Sequence, residues 1–149
     1  MLYLKRKNIV IIFLIIIIIL SIKVKTFINN TNLYSNVLNS NWSIDLPKEY
    51  EEVYSSGGKE SFLGDGKRYH VFKYHTDDIN SCIDWSVNKD LKLESHVNDI
   101  LKTLNVPEEN MVDFNNEYKY FYKMESDSSK LYIIFIPDSY NVYILEDIQ

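Results

Sequence analysis

The sequence predicts an α+β fold: an N-terminal transmembrane helix followed by a small antiparallel sheet with one main helix packed on it. Three observations support this prediction. A long aliphatic run lies near the N-terminus, a later stretch carries apolar residues at helical spacing, and short stretches rich in β-branched and aromatic residues lie on both sides of it. Strands grouped before and after a helix favour an α+β arrangement.

The first element is an aliphatic run at residues 9–22, where thirteen Ile, Val, Leu and Phe residues are interrupted only by Ser21. A run that is apolar on every face is typical of a segment in lipid. Three basic residues precede it and two follow, which favours a cytoplasmic N-terminus. The chain has no alanine for a small-residue cleavage site. We therefore expect residues 1–28 to be a cytoplasmic tail and an uncleaved transmembrane signal-anchor. The membrane is then a predicted binding partner, through residues 9–22.

Residues 29–41 are polar and aperiodic, and we interpret them as a flexible tether. Residues 42–149 are then an extracytoplasmic domain. The charges separate in the same way, because residues 1–28 carry 5 basic and no acidic residues, whereas residues 29–149 carry 11 basic and 21 acidic residues, a net charge of 11 − 21 = −10. Such an acidic domain disfavours nucleic acid as a partner and leaves open a cationic protein or peptide.

Upstream of the main helix, three short strands are predicted at residues 42–46, 51–56 and 67–74. A second, shorter helix is predicted over residues 77–85, with Thr76 or Asp77 as its cap. The domain therefore begins with strands.

The principal helix is predicted in the stretch LESHVNDILKTLNVP, residues 93–107. Its apolar residues fall at i, i+4, i+7, i+8 and i+11, which places them on one helical face. Asn105 can close the helix, and Pro107 prevents its continuation. The apolar residues are Leu93, Val97, Ile100, Leu101 and Leu104.

Three further strands are predicted at residues 118–124, 131–136 and 142–146, separated by the turn-forming stretches ESDSSK and PDSYN. Side chains of the first strand alternate between two faces, one expected to be buried and the other wet. The second strand is apolar on both faces and is expected to be central. An antiparallel meander is the expected arrangement.

All four glycines lie in the stretch GGKESFLGDG, residues 57–66, between two predicted strands. Gly-Gly and Asp-Gly pairs are typical of turns, because glycine adopts positive φ without a clash. The stretch lacks the spacing of a phosphate-binding loop and the alternating acids of a calcium loop. We interpret it as a hairpin loop, and the alternative is a recognition loop. The candidate binding residues of that alternative are Phe62, Leu63, Asp65, Lys67 and Arg68.

Other candidate chemistry is sparse. His70 and His75 lie close to Asp77 and Asp78, but the two histidines are an odd number of positions apart and would face opposite sides of a regular strand. We therefore predict surface histidines rather than metal ligands. His96 is expected to be half-buried on the flank of the main helix. No catalytic or cofactor-binding motif occurs, so no catalytic residue, metal or cofactor is predicted.

Cys82 is the single cysteine of the chain, so no intrachain disulfide can form. Its neighbours Ile83 and Trp85 are apolar. We expect Cys82 to be a small buried apolar residue rather than a reactive thiol.

The stretches FLGDGKRYHVFKY, TLNVP and LYIIFIPDSYNVYILED together resemble a set of small uncharacterised membrane-anchored extracytoplasmic proteins of Gram-positive bacteria. Those proteins carry a similar Gly-Asp-Gly loop before a strand and a similar closing hairpin. The resemblance spans residues 42–149. It implies location and fold, and it carries over no catalytic residue.

The sequence thus predicts a single-pass, membrane-tethered binding or accessory module. Immunity-type capture of a cationic partner, or a place as a subunit of an envelope complex, would fit an acidic domain held close to the membrane. The alternative is a cell-surface enzyme that uses His70, His75 or Asp65.

Overall fold

The computed structural model describes residues 15–21, 34–57 and 65–149. The chain divides into two compact units, which meet in sequence between Lys48 and Glu49. We call the second of them the unit 49–149.

Residues 15–21 are helical (α1), and their aliphatic side chains are exposed. The remainder of the predicted transmembrane segment 9–22 lies outside the described residues. Among the residues that are described, no helix combines the length and the apolar character needed to cross a membrane.

Helix α2 spans Tyr34–Trp42, where the sequence predicts a tether over residues 29–41. The structure differs from that expectation from Tyr34 onward. Ser35, Leu38 and Trp42 are buried and lie on one face of the helix, at i, i+3 and i+7. The surrounding Asn and Ser residues mask this short period in the sequence.

No strand forms at residues 42–46, so this prediction is wrong. Trp42 is the last residue of α2, and Ser43 has a φ of 56°. Ile44 and Leu46 are buried and the residue between them is exposed, so the predicted alternation is present. The segment nevertheless belongs to no sheet, since alternation alone supplies no hydrogen-bonding partner.

Five antiparallel strands form one sheet, which confirms the predicted α+β class. The order across the sheet is β1-β2-β5-β4-β3, so β1 and β3 are the edge strands. The strands are β1 (Glu51–Gly57), β2 (Gly66–Lys73), β3 (Lys119–Met124), β4 (Lys130–Ile136) and β5 (Asn141–Ile148).

The last three strands form the predicted meander, with β4 paired to β3 and β5. Every residue from Leu131 to Ile136 is buried, which confirms that β4 is apolar on both faces and internal. The middle position belongs to β5, because β2 returns to pair with it and sets Tyr69 opposite Leu145. This pairing joins distant parts of the chain and has no local signal.

The predicted hairpin before the main helix is confirmed, because β1 and β2 pair antiparallel with Gly57 opposite Arg68. Residues 58–64 of its loop lie outside the described residues. The second predicted helix is reduced to a short 3-10 helix at Asp77–Ser81. Its only buried side chain is Ile79, which gives too little apolar surface for a longer amphipathic helix.

Helix α3 spans Leu91–Thr103 and packs on one face of the sheet, as predicted. Asp90 caps it, because its Oδ1 accepts hydrogen bonds from the backbone N–H groups of Lys92 and Leu93 at 2.9 and 3.1 Å. The buried residues of the helix are Leu93, Val97, Ile100 and Leu101. They share one core with Tyr69, Val71, Tyr132, Ile134, Tyr143 and Leu145 of the sheet.

The second face of the sheet is buried too, and it contains a carboxylate. Glu146 on β5 is 0% exposed, and its Oε2 lies 3.8 Å from a guanidinium nitrogen of Arg68 on β2. Burial raises the pKa of Glu146 to about 7. The ionised form is therefore disfavoured in the folded state.

This raised pKa predicts that ionisation of Glu146 destabilises the fold. In the unfolded chain the group ionises near pH 4.5, and in the folded chain near pH 7. Wild-type stability should therefore fall between these two pH values relative to a Glu146→Gln variant, by on the order of 2–3 kcal/mol in total. Urea unfolding of both proteins from pH 4 to pH 8 measures the difference. A difference that does not change with pH would contradict the prediction.

Candidate binding face

Strand β3 is an edge strand whose outer side is only partly covered. Ser86 N–H donates to Tyr120 O at 2.8 Å, and Tyr120 N–H donates to Ser86 O at 2.9 Å, so Tyr120 turns both of its backbone polar groups away from β4. Because an antiparallel ladder alternates, Tyr122 and Met124 direct theirs to the same outer side. Within the part of the chain that the structure describes, no backbone group pairs with them there.

The other edge strand is less suited to pairing with a further strand. The register of β1 shifts between Glu52 and Tyr54, which is the signature of a β-bulge. A bulge interrupts the row of backbone donors and acceptors and protects an edge from further pairing. β3 shows no register shift against β4.

A groove of about 500 Å³ lies between the outer part of β3 and the first turns of α3. Tyr120 and Tyr122 line it from β3, and Tyr132 lines it from β4. The rings of Tyr122 and Tyr132 are tilted by 37° with their centroids 5.1 Å apart. Burial raises the pKa of Tyr132 to about 12, so its phenol is neutral at physiological pH. The remaining lining residues are Asp84, Ser86, Asp90, Lys92, Leu93, His96 and Phe121.

Most of the exposed apolar side chains lie on the segments that line this groove. Among the described residues of the unit 49–149, five large apolar side chains are exposed. Four of them either line the groove, as Tyr122 does, or lie within two positions of a lining residue in the sequence. The four are Val87 (68% exposed), Leu91 (69%), Tyr122 (44%) and Met124 (58%). We call the outer edge of β3, the groove and these four residues the β3-edge face. Concentrated apolar exposure of this kind marks interaction surfaces.

The polar groups of the β3-edge face combine two carboxylates with one ammonium group. Asp90 is engaged as the cap of α3, and its N–H donates to the hydroxyl of Tyr118 at 3.0 Å. The hydroxyl of Tyr118 in turn donates to Glu94 Oε1 at 2.8 Å. Burial raises the pKa of Tyr118. The first amides of α3 therefore already have acceptors. Asp84 and Lys92 are exposed, and the groove lining carries a formal charge of −2 + 1 = −1.

The candidate residues of the predicted recognition loop lie away from this face. Phe62 and Leu63 are outside the described residues. Asp65 is exposed and immediately precedes β2. Lys67 and Arg68 point to opposite faces of β2 and toward β5: Lys67 Nζ forms an ion pair with Asp147 Oδ1 at 2.9 Å, and a guanidinium nitrogen of Arg68 lies 3.8 Å from the carboxyl group of Glu146. Both cations therefore have partners within the sheet.

The histidines are dispersed. His70 Nδ1 lies 2.6 Å from Glu52 Oε1, and burial lowers the pKa of His70 below its usual value despite this carboxylate. His75 is exposed after β2, as predicted. His96 lies on α3 and lines the groove, but it is exposed and not half-buried as the sequence suggests. Among the described residues, no three His, Cys, Asp or Glu side chains are grouped as metal ligands.

Cys82 is half-buried, and its thiol donates to the backbone oxygen of Ile79 at 3.1 Å. Trp85 Nε1 donates to the same oxygen at 3.0 Å. Cys82 is thus less buried than the sequence suggests. It belongs to a local turn.

Sequence reasoning missed the β3-edge face. The predicted alternation along β3 assigned one face to the core, and Tyr118 and Tyr120 do pack against it. The same face continues into exposed Tyr122 and Met124, beyond the core.

Comparisons with known proteins assign neither a family nor a fold relative. No family model, curated protein or solved structure matches the chain.

Proposed function

We propose that this protein is a membrane-tethered, extracytoplasmic binding module that captures an extended cationic segment of a partner polypeptide at the β3-edge face. The observation that carries the proposal is the unpaired outer side of β3 at Tyr122 and Met124, beside a groove and four exposed apolar side chains. A cationic protein toxin or a cationic subunit of an envelope complex would present such a segment.

The mode of binding follows from the backbone of β3. An extended peptide can add a strand to an unpaired edge, where main-chain hydrogen bonds supply affinity and alternate side chains enter adjacent pockets. Tyr122 and Met124 offer the backbone donors and acceptors. The groove beside Tyr122 offers room for side chains of the incoming strand.

The charge of the unit 49–149 favours a cationic partner. This unit carries 10 basic and 20 acidic residues, a net charge of 10 − 20 = −10. A field of this sign accelerates the approach of cations, and its effect is screened over about 10 Å at 0.1 M salt. The same field repels an acidic segment from the edge of β3.

The proposed location rests on the aliphatic segment at residues 9–22 and on its flanking basic residues. Retention of this segment in lipid, with the shorter flank inside, would place the unit 49–149 outside the cell. External protease applied to intact protoplasts tests the location. Loss of a C-terminal tag is expected, and its complete protection would contradict the proposal.

Peptide affinity tests the proposed function. The full chain is placed in lipid nanodiscs and titrated with a fluorescent peptide that has lysine at its ends and centre, separated by alternating threonine and valine. We expect saturable binding that weakens by about tenfold between roughly 0.05 M and roughly 0.5 M salt. A matched peptide with glutamate in place of lysine is the control. Equal affinity for the two peptides, or binding that salt leaves unchanged, would contradict the proposal.

A further inference from the structure

Three tyrosine side chains and two aspartate side chains line the groove beside β3. Tyr120, Tyr122 and Tyr132 lie on the same face of the sheet, and Tyr122 and Tyr132 are register partners on adjacent strands. Their ring centroids are 5.1 Å apart, and Tyr122 is 44% exposed whereas Tyr132 is 3% exposed, so the ring of Tyr122 is the one open to solvent. The face of an aromatic ring attracts a cation within about 6 Å of its centroid.

The groove has two carboxylates: that of Asp90 already accepts hydrogen bonds, and that of Asp84 is accessible. Asp90 Oδ1 accepts two backbone N–H groups of α3, so this carboxylate is held in place as a cap. Asp84 is exposed, and no hydrogen bond or ion pair of its carboxylate is found among the described residues. Asp84 can therefore approach an incoming cation without losing an existing partner.

The start of α3 does not turn the groove into an anion site. The N–H groups of Lys92 and Leu93 donate to Asp90 Oδ1, and that of Glu94 donates to Asp90 O at 3.0 Å. These donors are thus satisfied. The ammonium of Lys92 is on an exposed side chain and can extend into solvent, which leaves the rings and Asp84 to determine what the groove accepts.

We propose that this groove is a subsite for one lysine or arginine side chain of the captured segment, held by the ring of Tyr122 and by the carboxylate of Asp84. The inference rests on the proposed function, since the strand added at β3 would deliver the side chain. The aliphatic part of that side chain would contact the ring of Tyr122, and its charged end would reach Asp84. An acidic side chain would be rejected by the same carboxylate.

Matched peptides test the subsite on the full chain in nanodiscs. The first is the lysine peptide described above, and the second has norleucine in place of its central lysine, which removes the charge and preserves the aliphatic chain. We expect the norleucine peptide to bind about fivefold to tenfold more weakly. The Asp84→Asn and Tyr122→Leu variants should reduce this ratio toward one, whereas Tyr122→Phe, which keeps the ring, should preserve it.

The outcomes separate the subsite from the proposed function. If both peptides bind the wild-type chain equally well, the cation subsite is refuted while capture at the edge stands. If neither peptide binds the folded chain, the proposed function itself fails. If the preference for lysine persists in both Asp84→Asn and Tyr122→Leu, the cation is recognised elsewhere and the inference is overturned.

Discussion

Replacing Gly57 with alanine is expected to destabilise the fold by about 3 kcal/mol. Gly57 has a φ of +99°, and a Cβ built on it would lie 2.2 Å from Lys67 O and 3.0 Å from Arg68 Cα. Both neighbours are backbone atoms of the paired strand β2, so they cannot move without opening the hairpin. Urea unfolding of the full chain, followed by tryptophan fluorescence, measures the loss.

Gly66 is the matched control for this substitution. It has a similar φ of +109°, but among the described residues no atom apart from those of its chain neighbours lies within 4 Å of the position that a Cβ would take. Gly66→Ala should therefore cost only the backbone strain of about 1 kcal/mol. Equal losses for the two variants would show that the contact with β2 is not the cause of the larger effect.

Replacing Met124 with proline is expected to weaken binding of the lysine peptide by about tenfold or more, with little loss of fold stability. The N–H of Met124 is directed to the outer side of β3, so proline removes a donor that an added strand would use. Edge strands tolerate proline where the lost N–H faces solvent. Fluorescence anisotropy gives the affinity, and urea unfolding gives the stability.

Lys123→Pro is the matched control, because the neighbouring N–H points inward to β4. This variant should lose about 2 kcal/mol or more of stability, since it breaks the ladder between β3 and β4. Unchanged peptide affinity in Met124→Pro would exclude the outer edge of β3 as the binding site. A large stability loss in Met124→Pro would mean that its N–H is not directed outward.

Much of the fold follows from local patterns in the sequence. The stripe of Leu93, Val97, Ile100 and Leu101 predicted α3 and its buried face, and the apolar stretch at residues 131–136 predicted an internal strand. Such patterns are informative because burial imposes a fixed period on one element. They predicted every strand of the sheet, including both strands of the glycine-linked hairpin.

Other features depend on which elements become neighbours. The alternation at residues 42–46 matches the burial of Ile44 and Leu46, but a strand also needs a partner for its backbone. Leu38 and Trp42 are buried on α2, but the polar residues between them hide the helical spacing in the sequence. The placement of β5 between β2 and β4 likewise depends on contacts between distant segments.

The candidate site was harder to predict than the fold. The glycine-rich stretch suggested Lys67 and Arg68 as candidate binding residues, because an unusual local composition is visible in a sequence. The structure pairs both residues with β5. The β3-edge face joins Asp84 and Leu91 to Tyr122, and each of these residues has an ordinary local context. An edge is a property of the whole sheet, so no single stretch reveals it.

Amide hydrogen exchange tests the binding mode most directly. The full chain in nanodiscs is compared with and without saturating lysine peptide, and exchange is resolved at single residues along β3. We predict that the peptide slows exchange at the outward N–H groups of Tyr122 and Met124, while the inward N–H groups of Phe121 and Lys123 change little. Bound peptide with no added protection at Tyr122 and Met124, or with protection along β1 instead, would contradict capture at this edge.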